Sequence, residues 1–313
     1  MRVLLFGASG TIGQATLRAL IDAGHDVTCF SREGSAFSPP PGVVVHVGDV
    51  VAPASAFDGR GFDAVVSCMA SRSGMPRDAW AVDHDAHLAV LRAAQDASVA
   101  QFVLLSALCV QQPELPFQKA KLAFEAKLKD SGLTYSIVRP TAFFKSLSGQ
   151  VARVQAGKPF LLFGDGQLTA CKPISDDDLG RFLAGCLTVP NRMNAVLPIG
   201  GPGPAITPLQ QGEALFEKLG EPPRFRRVPV AMMNGIIGLL SLVGIVSAKA
   251  RDKADLARIG RYYATHSMLV WDEAAGAYSA DATPETGSEK LFDFYDALIR
   301  GDQYVDLGDH AVF

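Results

Sequence analysis

The run Val3-Leu4-Leu5-Phe6-Gly7-Ala8-Ser9-Gly10-Thr11-Ile12-Gly13 decides the fold. Four apolar residues ending in glycine suit a strand buried on both faces. Residues 11–23 then place Ile12, Ala15, Leu20 and Ile21 close to helical spacing, and Gly24 ends the helix. The glycines thus join a strand to a helix. Gly7 permits the tight turn, Gly10 lets backbone approach a pyrophosphate, and Gly13 lets the helix pack on the sheet. A helix N-terminus offers such an anion free N–H groups and a favourable dipole. Gly7, Ser9, Gly10, Thr11, Ile12 and Gly13 are therefore candidate cofactor-binding residues.

Working outward, the pattern repeats. Strands are expected over residues 26–30, 43–47, 64–68, 101–106 and 134–138, with helices over 78–97 and 116–130. Strand and helix alternate, which predicts an α/β fold: a Rossmann-type, doubly wound parallel sheet with helices on both faces. The second strand ends in Phe30-Ser31-Arg32. An NAD site would place an acid there to hold the ribose 2′-hydroxyl. A hydroxyl and a guanidinium suit a 2′-phosphate instead, so NADPH is the expected cofactor. Glu33 is the one feature pointing the other way. Asp49 and Val50 stand where such folds contact adenine, and Cys68 and Ala70 where backbone lines the cofactor. Ser106 and Pro140, at the ends of the fifth and sixth strands, complete the cofactor set.

Composition bounds the rest. At 313 residues the chain predicts about two units: a cofactor domain over 1–150 and a smaller α+β substrate lobe over 151–313, with elements near 171–200 returning to the main sheet. A net charge of −3 supplies no basic field, so no nucleic-acid partner is expected. The five cysteines are dispersed without a CxxC pair, which argues for reduced, buried thiols rather than disulfides or a metal cage. Asp176-Asp177-Asp178 reads as the acidic first turn of a helix with Ser175 as N-cap, not as a metal site. The N-terminus shows no targeting segment, so a cytoplasmic protein is expected. Nothing in the sequence fixes the oligomeric state.

The glycine spacing, GxxGxxG, resembles that of extended and atypical short-chain dehydrogenase/reductases. Typical members carry a Tyr-x-x-x-Lys pair after the fifth strand, the tyrosine moving the proton and the lysine holding ribose hydroxyls. Here Phe117-Gln118-Lys119-Ala120-Lys121 occupies that place. Lys121 is in register and is the catalytic as well as a cofactor-binding candidate, but Phe117 has no exchangeable proton. Two readings stay open on the residues alone. One is an NADPH-binding sensor or assembly subunit without chemistry. The other is reduction of a conjugated double bond, whose carbanion needs electrostatic support and a proton from elsewhere.

A longer set of blocks narrows this. It comprises residues 65–72, 102–111, 117–122, 171–175, 197–203 and 259–264, with Tyr135 to Leu147, including Arg139-Pro140-Thr141-Ala142-Phe143-Phe144-Lys145, and Phe163-Gly164-Asp165-Gly166. The set resembles the NADPH-dependent divinyl chlorophyllide a 8-vinyl-reductase family, in its bacterial form, over nearly the whole chain. The resemblance implies reduction of the 8-vinyl group of a divinyl (proto)chlorophyllide to ethyl in (bacterio)chlorophyll synthesis. It implies a tetrapyrrole as substrate, whose ring system spreads the added charge and makes the missing tyrosine understandable. On that implication Phe117 stacks on the macrocycle, and Thr141, Phe143, Phe144 and Lys145 form the wall near it. Lys145, Lys172 and Arg261 are the candidates for its propionate. Tyr262 and Tyr263 are alternative proton donors, with packing the favoured role for each.

Residues 228–248 hold no charge and are flanked by Arg224, Arg226, Arg227 and Lys249. The length is near that of a bilayer span, yet Pro229 and three glycines interrupt it. The expectation is a buried helix lining the pigment pocket, with an interfacial helix in peripheral contact with a membrane as the alternative.

Overall fold

The computed structural model describes residues 1–35, 37–57 and 59–305. Its central sheet contains β1 (Arg2–Phe6), β2 (Asp26–Ser31), β3 (Val44–Val47), β4 (Ala64–Ser67), β5 (Gln101–Leu105), β6 (Thr134–Pro140) and, from much further along the chain, a strand at Ala195–Ile199. The order across the sheet is β3-β2-β1-β4-β5-β6 and then that late strand, all pairings parallel. β1 thus lies between β2 and β4, where the order reverses, and the crevice beyond such a reversal is where open α/β sheets bind ligands. Strands buried on both faces explain why β1, β4 and β5 read as unbroken apolar runs. Leu4, Phe6, Val65, Phe102, Phe124 and Ile137 form the centre of the core under the sheet.

Helix α1 (Thr11–Asp22) follows β1 directly. The expected single helix over 78–97 is a composite: α2 (Pro76–Ala79), a π-helical stretch at Trp80–Ala86, and α3 (His87–Asp96). Next comes α4 (Pro116–Lys129), with proline in its first turn where a missing N–H costs nothing.

The chain forms two compact units. The first takes in Met1–Arg72, Pro76–Pro140 and Asp176–Ile199; the second takes in Ser73–Met75, Thr141–Ser175 and the chain from Gly200 onward.

Within the second unit, α5 (Phe144–Leu147), α6 (Val151–Gln155) and β7 (Phe160–Phe163) come first. Within the first unit, α7 (Asp176–Gly185) leads to the late strand, β8 (Ala195–Ile199). Gly180 is why α7 lies so close on α1: a Cβ there would fall 2.6 Å from the carbonyl carbon of Ala15.

The rest belongs to the second unit. α8 (Pro208–Leu219) opens on a capping box: Gln210 N–H donates to Thr207 Oγ1 at 3.3 Å, and Thr207 N–H donates to Gln210 Oε1 at 2.9 Å. β9 (Phe225–Val228) pairs with β7, and β10 (Val270–Asp272) forms a hairpin with β11 (Ala277–Ser279). Helix α11 (Leu291–Arg300) packs Leu291 and Tyr295 against Phe144, Val154, Phe160, Leu162 and Phe216.

The remaining two helices are α9 (Val230–Val243) and α10 (Ala248–Thr265). The expectation of a buried helix over 228–248 is corrected. α9 has 14 residues and none is buried. A mostly apolar helix normally reads as interior, but α9 lies against α10, tied to it by Arg258 Nη2 donating to Ser241 Oγ at 2.7 Å. Among the described residues, no helix is long and apolar enough to cross a membrane.

The contact at Gly180 yields a stability test. Gly180→Val forces a branched side chain into the Ala15 backbone and is expected to cost about 3 kcal/mol. Thermal unfolding should show this as a clear drop in Tm, while Gly24→Ala, at a position with nothing within 4 Å, shifts it less.

Candidate cofactor site

The glycine turn is built by close approach. Gly7 has φ +78°, and a Cβ on it would lie 2.7 Å from Cys68 C and Met69 N, at the end of β4. Gly13 is tighter still, with Gly7 O only 2.0 Å from where its Cβ would sit. At Gly10 the nearest atom is Gly7 O at 3.5 Å, so its outer side is open. No side chain caps α1 and no acid lies in its first turn. A helix N-terminus with no side-chain cap and no acid beside it favours an anionic partner. These features fit a dinucleotide pyrophosphate. Thr16 Oγ1 donates to Ile12 O at 2.7 Å and meets Cys68 Sγ at 3.5 Å, tying α1 to the end of β4. Burial pushes the Cys68 thiol up to about 12, so it stays protonated and serves packing rather than nucleophilic chemistry. Ala70, two residues on, is exposed.

At the end of β2, Gly48 N–H donates to Ser31 O at 3.0 Å, which sets residues 48–50 beside Ser31. Asp49 Oδ1 accepts Val51 N–H at 3.0 Å and closes that turn, while Val50 packs on the core. Arg32 is exposed, and among the described residues no ion pair holds it.

The polar face of α4 carries the largest part of the site that the sequence did not announce. Gln118, Lys121 and Glu125 share one side of the helix by their spacing. Gln118 Oε1 accepts the N–H groups of Glu114 and Leu115, each at 2.8 Å, and its Nε2 donates to Cys109 O at 2.9 Å. Lys121 Nζ donates to Asp83 Oδ1 at 2.9 Å. Asp83 sits on the π-helical stretch, 1% exposed, and also accepts Ser71 N–H at 3.1 Å and Ser71 Oγ at 2.5 Å. The pair thus pins the segment after β4 to the lysine-bearing helix. Glu125 accepts Ser106 Oγ at 2.5 Å and the Arg139 guanidinium at both carboxylate oxygens, which clamps the ends of β5 and β6 to the same helix. Pro140 is the last residue of β6 and is buried. Phe117 is buried on the first turn of α4.

One turn beyond Asp83, His87 is 1% exposed, with Nδ1 against Val82 O at 2.8 Å and Nε2 against Ser67 Oγ at 3.0 Å. Burial, with the Lys121 charge adding to it, pushes its pKa down to about 4. His87 is therefore a neutral structural residue at neutral pH. The signal for Asp83 and His87 in the sequence was an acid and a histidine four apart inside an alanine-rich helix; for Glu125 it was the i+4 spacing from Lys121.

The proposed substrate residues other than Phe117 belong to the second unit. Thr141 is buried and its hydroxyl donates to Lys172 O. Phe143 forms an isolated bridge with Ile174 and is partly exposed. Phe144 is a core residue, its ring 5.5 Å from that of Phe294. Lys145, beside it, is partly exposed. Lys172 is buried and committed to Glu285 Oε1 at 2.7 Å, and that bond holds the Glu285 carboxyl below its ordinary range. Arg261 donates to Asn234 Oδ1 at 3.1 Å on α9. Tyr262 is buried and stacked on His266 at 4.1 Å, whereas Tyr263 is 43% exposed.

The sheet order, the glycine turn and the uncapped helix define a dinucleotide-binding protein, and the NAD(P)H-binding family model matches residues 7–190. The fold is shared with the leucoanthocyanidin reductase–NADPH complex of Vitis vinifera, at TM-score 0.69 and 16% identity over 96% of this chain and 100% of that one. Rice (Oryza sativa subsp. indica) divinyl chlorophyllide a 8-vinyl-reductase is 45% identical over 99% of this chain and 82% of its own length. The Arabidopsis thaliana enzyme of that name is also 45% identical, over 96% and 77%. The chain belongs to the divinyl chlorophyllide a 8-vinyl-reductase family.

Two tests follow from the α4 face. As pH falls from 6.5 toward 4, unfolded chains bind a proton at His87 that the native protein refuses. Stability should therefore decline through that window, by up to about 3 kcal/mol, and this component should level off below pH 4. His87→Asn should flatten that part of the pH–stability curve measured by urea unfolding. Asp83→Ala leaves the Lys121 ammonium without its buried partner and should cost about 3–5 kcal/mol in urea unfolding, and the Asp83→Ala/Lys121→Ala double variant should cost less than the sum of the two single variants.

Proposed function

We propose that this chain uses NADPH to reduce the 8-vinyl group of divinyl chlorophyllide a, or of its protochlorophyllide counterpart, to ethyl. The likeness that carries the reading is 45% identity to the rice enzyme over 99% of this chain. When bound, NADPH supplies a hydride; the vinyl group takes that hydride and one proton, and NADP+ is released. The chain's part is binding, orientation and charge. The Gly7–Gly13 turn holds the pyrophosphate on the N-terminus of α1. Ser31 and Arg32 hold the 2′-phosphate, a role supported by the exposed guanidinium with no ion pair among the described residues. Asp49, Val50, Cys68, Ala70, Ser106 and Pro140 line the same cofactor. Lys121 holds the ribose hydroxyls, oriented by its bond to Asp83.

Phe117 takes the place of the usual proton-carrying tyrosine and offers an apolar face to the tetrapyrrole. The delocalised charge left on the macrocycle removes the need for an acid at that spot. Thr141, Phe143, Lys145 and Arg261 serve the substrate side. In this reading the protein works in (bacterio)chlorophyll synthesis, in a photosynthetic cell. The missing tyrosine also favours a second reading, an NADP-binding protein with no turnover.

The deciding assay offers purified protein each divinyl pigment with NADPH or NADH. A blue shift of the Soret band with NADPH is expected; unchanged pigment beside an active control sinks the reductase reading and leaves the binding one. Arg32→Ala should raise KM for NADPH about tenfold or more and leave that for NADH alone. Equal effects on both cofactors would take Arg32 off the 2′-phosphate.

A further inference from the structure

The α9–α10 hairpin ends in an apolar tip. Leu239 is 65% exposed, Leu242 68%, Ile245 75% and Val246 89%. Residues 224–258 hold seven arginines and lysines against two aspartates, in a chain whose net charge is −3. Lys249, Arg251 and Lys253 stand on the first turns of α10, directly after the tip, and all are exposed. Between the two helices lies a cavity of about 260 Å³ lined by Ser241, Gly244, Ile245, Arg251, Ala254 and Arg258. Arg258 is fixed in it by Asp255 Oδ1 at 2.5 Å and Ser241 Oγ at 2.7 Å, and Arg251 by Nε donating to Gly244 O at 3.3 Å. A guanidinium has five N–H donors, so each arginine keeps donors beyond those bonds.

Apolar tip, cationic collar and an arginine-lined cavity together match one kind of surface. A second copy of this chain on a twofold axis would bring two like-charged collars together. A nucleic acid would have no use for Leu242, Ile245 and Val246. An anionic bilayer meets both needs, since acyl boundary and phosphates lie within about 5–10 Å of each other.

We propose that this tip docks on the surface of an anionic lipid bilayer. Leu242, Ile245 and Val246 enter the acyl boundary, and Lys249, Arg251, Lys253 and Arg258 face the headgroup phosphates. This stands apart from the reductase reading, because it concerns none of the residues assigned to cofactor or pigment.

The test is co-sedimentation of the full chain with vesicles of phosphatidylglycerol and phosphatidylcholine, and with phosphatidylcholine alone. Binding to the anionic vesicles only is expected, and it should be largely lost between about 0.1 M and 0.5 M salt. Leu242→Ser/Val246→Ser and, separately, Arg251→Ala/Lys253→Ala should each weaken it about tenfold. NADPH binding, followed by nicotinamide fluorescence, should be unchanged in both, which shows that they fold. Absence of vesicle binding, equal binding by wild type and either variant, or equal binding to neutral vesicles would overturn the proposal. So would inorganic phosphate binding in place of vesicle binding. A dimer in sedimentation velocity that Leu242→Ser/Val246→Ser abolishes would assign the tip to a second copy instead.

Discussion

The near-contact between Gly7 and the Cys68–Met69 peptide is the constraint on which the rest depends. With a side chain at Gly7, β1 could not end where it does beside β4, and the reversal of strand order would lose its crevice. Gly13 repeats the demand one turn later by letting α1 begin against its own entering loop. A helix N-terminus without a side-chain cap is then held just beyond the C-terminal end of β1. Affinity for an anion follows from that geometry before any charged side chain is counted.

Around this crevice the protein spends unusual care on buried polarity. One face of α4 reaches three neighbours: Gln118 the loop at 109–115, Lys121 the segment after β4 through Asp83, and Glu125 the ends of β5 and β6. Each of these carboxylates is almost wholly buried, yet each is met by a cation and a hydroxyl. Satisfied networks of this kind fix one arrangement rather than adding much stability. The segment after β4 and the ends of β5 and β6 are thereby held from a single helix.

Much of the first unit was legible because its signals are local. Four apolar residues, a glycine turn and a periodic helix are all adjacent, and strand ends were misplaced by only a residue or two, as at β3. Spacing singles out Lys121 as a candidate but not the partner it meets: Asp83 lies 38 residues away and reaches it only after the fold is made. The same holds for Lys172 and Glu285, 113 apart, where a lysine that looked available for a carboxylate ligand is already taken. The helix over 228–248 was misjudged for a different reason. Hydropathy measures a preference for leaving water, and it says nothing about what will provide the cover. α9 has the composition of an interior helix and no interior to enter.

Gly180 carries a consequence for how the first unit comes into being. α7 lies on α1, and β8 completes the sheet beside β6, although both are made only after some 35 residues of the other unit have left the ribosome. A half-length fragment stopping before Asp176 would leave one edge of the sheet unpaired and the Ala15 face of α1 wet. The nucleotide-binding half is therefore not an autonomous N-terminal module. The chain completes that unit only by returning to it, through α7 and β8, after Thr141–Ser175 of the other.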